Sequence, residues 1–259
     1  MCDMGFLPDI RRILKHLPVK RQTLFFAATM PRDIRALADK ILNDPATVQI
    51  GEIAPAKTVS HALYPVPEVL KAELLLSMLK RTATGRVLVF TRTKYRARSL
   101  ALRLKKHGHR TSPLEGNMSQ NQRQKAIDGF RNGQVDVLVA TDVAARGIDV
   151  SEISHVVNFD MPNTVDAYTH RIGRTGRAHR TGEAFTLATQ GDGLMVRQVE
   201  RAVGSPIERR RLPGFDYGAF KPEDQFQQAR TTWSSLPRSF RSRRTYAGRR
   251  RLAPVAKRA

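Results

Sequence analysis

Four short apolar runs, at residues 86–91, 135–140, 154–159 and 183–188, constrain this chain more than any other feature. Each is rich in Val, Leu, Phe or Ala, with little polar alternation. That is the pattern of strands buried on both faces, as in a parallel sheet. Helical periods lie between them. In 68–80, Leu70, Leu74, Leu75, Met78 and Leu79 fall on one face; Leu100, Leu102 and Leu104 mark a helix in 94–107. Ser119 is placed to cap a helix running through Phe130 and ended by Asn132-Gly133. Strand–helix alternation with short connections predicts a doubly wound α/β domain over 58–211. In such sheets ligands gather at the carboxyl ends of strands.

The first fifty residues do not form a complete domain. Thr23 to Ala28 reads as one buried strand, Pro31 as a helix start, and Ile34, Leu37, Ala38 and Ile41 as the buried face of that helix. Val48-Gln49-Ile50 suggests a further short strand. One or two strands cannot enclose a core. Gly51 to Lys57, with Pro55 inside it, reads as a linker. The stretch Gly51 to Thr58 comes close to a phosphate-loop pattern, with Ala56 where glycine belongs. A phosphate loop needs successive backbone N–H groups and a helix after them; Pro55 has no N–H, and Val59 to Pro67 shows no helical period.

Charge sets the partner class. The chain carries 45 Lys+Arg against 23 Asp+Glu, a net +22, which favours a polyanion, and nucleic acid over a membrane surface. Between Arg230 and Ala259 ten residues are basic and none is acidic. Apolar periodicity is absent there, so residues 212–259 are expected to be a disordered Arg-rich tail. Trp233 lies within it, equally suited to base stacking or to a loosely ordered linker. No apolar run reaches the roughly 18 residues that span a bilayer. The single cysteine, Cys2, fits a reducing cytoplasm. His107 and His109 have no cysteine or third histidine beside them and read as a solvated helix end, so no metal site is expected.

Chemistry concentrates in two segments. His170-Arg171-Ile172-Gly173-Arg174-Thr175-Gly176-Arg177 puts three arginines and a histidine in eight residues. Guanidinium forks at this density suit phosphate oxygens, because they are planar, always charged and bidentate. Upstream, after the run ending at Ala140, stands Thr141-Asp142-Val143-Ala144-Ala145-Arg146-Gly147-Ile148-Asp149. In this order and spacing the two resemble the last two motifs of DEAD-box ATP-dependent RNA helicases of bacterial type. Met1 to Phe6 looks like the segment that follows the DEAD box, and Val87–Thr91 like a further motif. Gln120 and Arg123 resemble the family's Gln-x-x-Arg signature. Ala27-Ala28-Thr29 stands where the family has Ser-Ala-Thr, with Ala27 removing one hydroxyl. That departure bears on how hydrolysis is coupled to strand separation.

The resemblance implies the fold, a RecA-like doubly wound parallel sheet, and a division of the chain. Residues 1–52 are the remnant of a first RecA-like domain, 53–211 the helicase C-terminal domain and 212–259 the tail. It implies Arg174 and Arg177 as arginine fingers for the γ-phosphate, with His170 coupling the cleft to the partner domain. Asp149 would sit beside the ribose, with Gly147 at the same loop, and Thr91, Gln120, Arg123, Thr141 and Gly147 would hold the RNA backbone. Arg171 is read as a structural ion-pair partner. The cofactor implied is ATP with Mg²⁺, shared with a missing N-terminal domain.

Phosphoryl transfer needs a phosphate cradle and acidic metal ligands, and neither a phosphate loop nor Asp-Glu-Ala-Asp occurs in this sequence. Whether the chain alone is an enzyme therefore stays open. By resemblance it belongs to an ATP hydrolase; by inventory it is catalytically incomplete. The competing readings are an ATP-independent RNA-binding or annealing protein and a non-functional truncation product. An upstream reading frame with the missing motifs distinguishes the first from the others.

Overall fold

The structure, a computed structural model, describes residues 6–27, 30, 32–48, 59–82, 85–146, 148, 150, 153–176 and 181–220. Two helices, α1 (Leu7–Leu14) and α2 (Arg32–Ile41), come first. After them the chain builds seven strands: β1 (Val59–Pro65), β2 (Arg86–Thr91), β3 (Thr111–Leu114), β4 (Val137–Thr141), β5 (Ile153–Asn158), β6 (Gly182–Ala188) and β7 (Glu208–Arg209). The crossover helices are α3 (Lys71–Thr82), α4 (Lys94–Lys106), α5 (Gln120–Arg131), α6 (Asp142–Ala145), α7 (Val165–Ile172) and α8 (Gly193–Val203). The strands form one sheet in the order β3-β4-β2-β5-β6-β1-β7, and every pairing is parallel.

All four expected strands are present, and their residues are buried on both faces. Val87 and Val89 join Leu74, Leu75, Met78 and Leu79 of α3 and Leu100 and Leu104 of α4 in one core. Their strand neighbours Leu88, Leu138 and Val156 are fully buried as well. A sheet covered on both sides needs apolar residues at successive positions. Ser119 closes a capping box with Gln122, and Gly133, at φ +75°, ends that helical stretch in a conformation glycine adopts without strain. Leu102 departs from expectation. It is 56% exposed, because two residues along a helix is more than half a turn away from Leu100 and Leu104.

Of the expected strand at Thr23 to Ala28, the described residues 23–27 carry no regular secondary structure, and Leu24 and Phe26 are 71% and 87% exposed. An apolar run becomes a strand only with a ladder partner beside it, and the sheet pairings include none with this segment. Val48 is likewise exposed and outside any strand. Gln49, Ile50 and the expected linker at Gly51 to Lys57 lie outside the described residues. Val59 to Pro65, where the sequence showed no helical period, is the strand next to β6. Packing continues beyond the composition change at Leu212: Leu212 and Tyr217 are buried in the core, and the Leu212 N–H donates to the Tyr217 hydroxyl at 3.0 Å. Residues 221–259, including Trp233, lie outside the described residues.

Candidate functional site

The register brings the carboxyl ends of three central strands together. Thr91 of β2 pairs with Thr141 of β4, and Phe90 pairs with Asn158 of β5. Three helix starts follow from this end. Thr93 caps α4 by accepting from the Arg96 N–H at 3.2 Å. Ser119 caps α5, and Thr141 stands at the start of α6.

Between β4 and β5 a buried polar network fixes the arginine-rich segment. Arg171, only 2% exposed, donates from Nε and Nη2 to the two oxygens of Asp142 at 2.6 and 2.7 Å. Its Nη1 donates to Asn158 Oδ1 at 3.2 Å and to the Asp160 carbonyl at 2.7 Å, and the guanidinium lies 5.0 Å from the Phe90 ring centre. Asn158 donates onward to Thr186 at 3.0 Å. A buried guanidinium requires this degree of satisfaction, since an unpaired one costs several kcal/mol. Arg171 is therefore the structural ion-pair partner expected of it.

The rest of the octet hangs from this anchor. Thr175, buried, donates to the Ile153 carbonyl at 2.6 Å. Arg174 is half-buried and donates from Nη1 to the Ile148 carbonyl at 2.9 Å, which ties the α7 end to the loop after α6. His170 is exposed on the last turn of α7. On the neighbouring helix Arg123 is half-buried and donates to the Ala144 carbonyl at 3.3 Å, while Gln120 is exposed at the first position of α5. Thr141 is half-buried. Thr91 is fully buried, its hydroxyl donating to the Thr93 carbonyl at 3.3 Å, so its surface influence passes through Arg92 and Thr93, both exposed. Ala27 is exposed. Ala28, Thr29, Gly147, Asp149 and Arg177 lie outside the described residues.

Three polar centres escaped the sequence reading. Asp160 accepts from the Arg92 N–H at 2.8 Å and faces Lys71 and Arg96 at 3.7 and 3.3 Å, all around the Phe159 ring. Glu115 is fully buried, accepting from Arg98 Nε and the Asn117 N–H at 2.8 and 2.6 Å. Burial pushes the Glu115 carboxyl up, but the Asn117 N–H and the Arg98 guanidinium outweigh it and hold the group below the ordinary carboxylate range. Tyr168, fully buried on α7, shares a 3.1 Å hydrogen bond with His61 Nδ1 of β1. Burial drives the Tyr168 phenol well above its usual range and the His61 imidazole below its own. Isolated polar residues give no periodic signal. Only Asp142, inside the Thr141–Asp149 motif, was open to discovery from the sequence.

Known proteins resemble this chain in sequence and fold. Residues 70–179 match the model of the helicase conserved C-terminal domain. The crystal structure of Escherichia coli DEAD-box protein SrmB bound to regulator of ribonuclease activity A is 41% identical, with a TM-score of 0.57, and the chain covers 98% of that structure's chain with 62% of its own length. The chain belongs to the DEAD-box RNA helicase family. The DEAD-box ATP-dependent RNA helicase CshA of Geobacillus kaustophilus is 40% identical over 217 residues, 83% of this chain and 46% of CshA. The chain thus spans about half the length of the curated relatives it matches. Saccharomyces cerevisiae Dbp5 bound to RNA and ADP BeF3 aligns with a TM-score of 0.75 at 29% identity, covering 90% of this chain and 60% of that one. In this DEAD-box chain the RecA-like sheet carries Thr91 and Thr141 at the carboxyl ends of β2 and β4, and the arginine-rich segment begins on α7. Among the described residues no helix is long and apolar enough to cross a membrane.

Proposed function

We propose that this chain supplies the second RecA-like domain of an ATP-dependent RNA helicase acting in the cytoplasm. The observation that carries the reading is the meeting of two kinds of group at one sheet end. Arg174 is braced against Ile148, and Thr91 and Thr141 stand in register on adjacent strands. The family's relatives and the RNA- and nucleotide-bound Dbp5 structure support it.

The donor set fits a triphosphate. Arg174 is held at the end of α7, with Arg171 immediately behind it already spent on Asp142, so the forward arginine keeps its geometry. Arg174 and Arg177 would meet the γ-phosphate, Asp149 and Gly147 would flank the nucleoside, and His170 would face the partner domain. The bound nucleotide, with Mg²⁺, supplies the free energy that drives RNA remodelling. The cradle and metal ligands would come from a first RecA-like domain, whose last segments residues 1–52 resemble, with Ala27-Ala28-Thr29 at its coupling motif. Thr141, Gly147, Gln120, Arg123 and the backbone around Thr91 hold RNA, and the segment after the C-terminal domain adds charge.

The test mixes the chain with a polypeptide carrying the phosphate loop and Asp-Glu-Ala-Asp segment of CshA and follows RNA-stimulated ATP hydrolysis. Turnover is expected in the mixture and not from the chain alone, and Arg174→Ala is expected to lower it by on the order of 10³-fold or more. Turnover by the chain alone, abolished by Arg174→Ala, would overturn this division of labour.

A further inference from the structure

We infer that Tyr95 is a stacking platform for an RNA base at the rim of this site, an assignment that rests on the RNA reading above. Tyr95 is 72% exposed, whereas the other described tyrosines, Tyr64, Tyr168 and Tyr217, are 6% exposed or less. A tyrosine left in water contributes little to the core, and its apolar ring face is open to a ligand. Its position is specific. It lies in the first turn of α4, four residues beyond Thr91, on the strand whose end is in register with Thr141.

The chemistry around the ring selects the partner. The Lys94 ammonium sits 5.3 Å from the ring centre, and Arg92 beside it is exposed. The first turn of α4 has no acidic residue. Glu68, the nearby carboxylate, is already held by Arg96 and Lys71, so the rim is cationic with an aromatic plate set in it. That combination fits a single-stranded polyanion with flat bases, because cations track the phosphates while the ring offers a face to any base. A single strand held at Arg92, Thr93 and Thr141 would pass the first turn of α4, where the Tyr95 ring is exposed to receive a base. An apolar protein partner would need more contiguous apolar surface than one ring beside a lysine and an arginine.

The experiment compares the full chain with Tyr95→Ala and Tyr95→Phe, using an oligouridine and an abasic oligoribonucleotide of equal length. Alanine should weaken oligouridine binding by about tenfold, the lower part of the range for one stacked base, while phenylalanine should bind like the unaltered chain. On the abasic strand all three proteins should bind alike, since no base is present to stack. The thermal midpoint should not change, because the side chain is exposed. Unchanged oligouridine affinity in Tyr95→Ala overturns the inference and leaves a protein partner as the occupant of this rim. An equal loss on the abasic strand overturns stacking in favour of a backbone contact. Failure of the unaltered chain to bind either RNA overturns the RNA reading itself, and the inference with it.

Discussion

Arg171 grips Asp142 with two parallel hydrogen bonds, 2.6 and 2.7 Å long, and thereby joins the arginine-rich segment to the one that begins at Thr141. The guanidinium is buried while the carboxylate is 39% exposed, so the two partners are unequal. Removing the carboxylate leaves a buried cation still bonded to Asn158 and the Asp160 carbonyl. Removing the guanidinium leaves a carboxylate that water can reach, but it also empties a core position and leaves Asn158 Oδ1 without its donor. Arg171→Met is expected to lower unfolding stability by about 3 kcal/mol, and Arg171→Lys by a similar amount, because one ammonium cannot fill a four-bond site. Asp142→Asn should cost less, about 1–2 kcal/mol. Urea unfolding of the three variants checks the order; Arg171→Lys matching the unaltered chain would refute the bidentate lock.

Legibility followed burial. β2, β4, β5 and β6 are central strands, and burial on both faces leaves unbroken apolar runs that can be read directly. β1 is nearly as central, yet Ser60, His61 and Pro65 interrupt its run. His61 shares a hydrogen bond with Tyr168, a partner more than a hundred residues away in sequence. β3 contains Pro113 and escaped notice for the same reason that it tolerates it: it is the sheet edge, where a missing N–H costs no ladder bond. Leu24 to Ala27 shows the converse, apolar residues without a neighbour to pair with. At the site, Arg174, Arg123 and Thr141 were legible because motif spacing marks them. Asp160, Glu115 and Asn158 were not, because single polar residues gain meaning only from what the fold brings against them.

Gly182, the first residue of β6, supports the arginine segment by having no side chain. A Cβ there would overlap the Thr175 hydroxyl and the Gly176 amide nitrogen. Thr175 cannot retreat easily, since its hydroxyl is spent on the Ile153 carbonyl. Gly182→Ala is therefore expected to destabilise the fold by about 1–3 kcal/mol and to displace Arg174. Thermal unfolding reads the first effect. The second appears as lost RNA-stimulated hydrolysis in the mixture with a first domain, and full hydrolysis there would show that the segment does not depend on this contact.

His61 gives the fold a pH dependence near neutrality. Burial holds its imidazole below the ordinary 6.5, so the folded chain prefers the neutral form. Below about pH 6.5 the unfolded chain binds a proton that the folded chain resists, and stability falls as pH drops through that window, by at most about 1.4 kcal/mol per pH unit for one group. Above it the contribution is fully present. His61→Gln removes the titration, so its stability should depend less on pH between about pH 7.5 and about pH 5.5. Urea midpoints across that range provide the measurement; parallel curves for the two proteins would show that His61 is not the responsive group.

Charge at the far end of the sequence makes a last, separate prediction. Ten basic and no acidic residues lie between Arg230 and Ala259, whereas the candidate site on the folded domain offers fewer cations, several of whose guanidiniums are already committed: Arg171 to Asp142, Arg98 to Glu115, Arg96 to Glu68. The two should bind RNA by different physics. Basic residues at this density neutralise phosphates and release counterions, so their share of affinity falls steeply with salt, with a slope of roughly −0.7 for each phosphate neutralised on a single strand. The β4 end at Thr141 and Arg123 of α5 should contribute fewer charges and more shape, and RNA differs from DNA there through its 2′-hydroxyl. Deleting residues 230–259 should weaken binding at low salt and flatten the salt slope, while any preference for RNA over DNA persists. Titrations of matched RNA and DNA strands across a salt series, with the full chain and the deletion, measure both quantities. An unchanged slope would place the electrostatic anchor on the folded domain, and a lost RNA preference would place the discrimination in the basic segment.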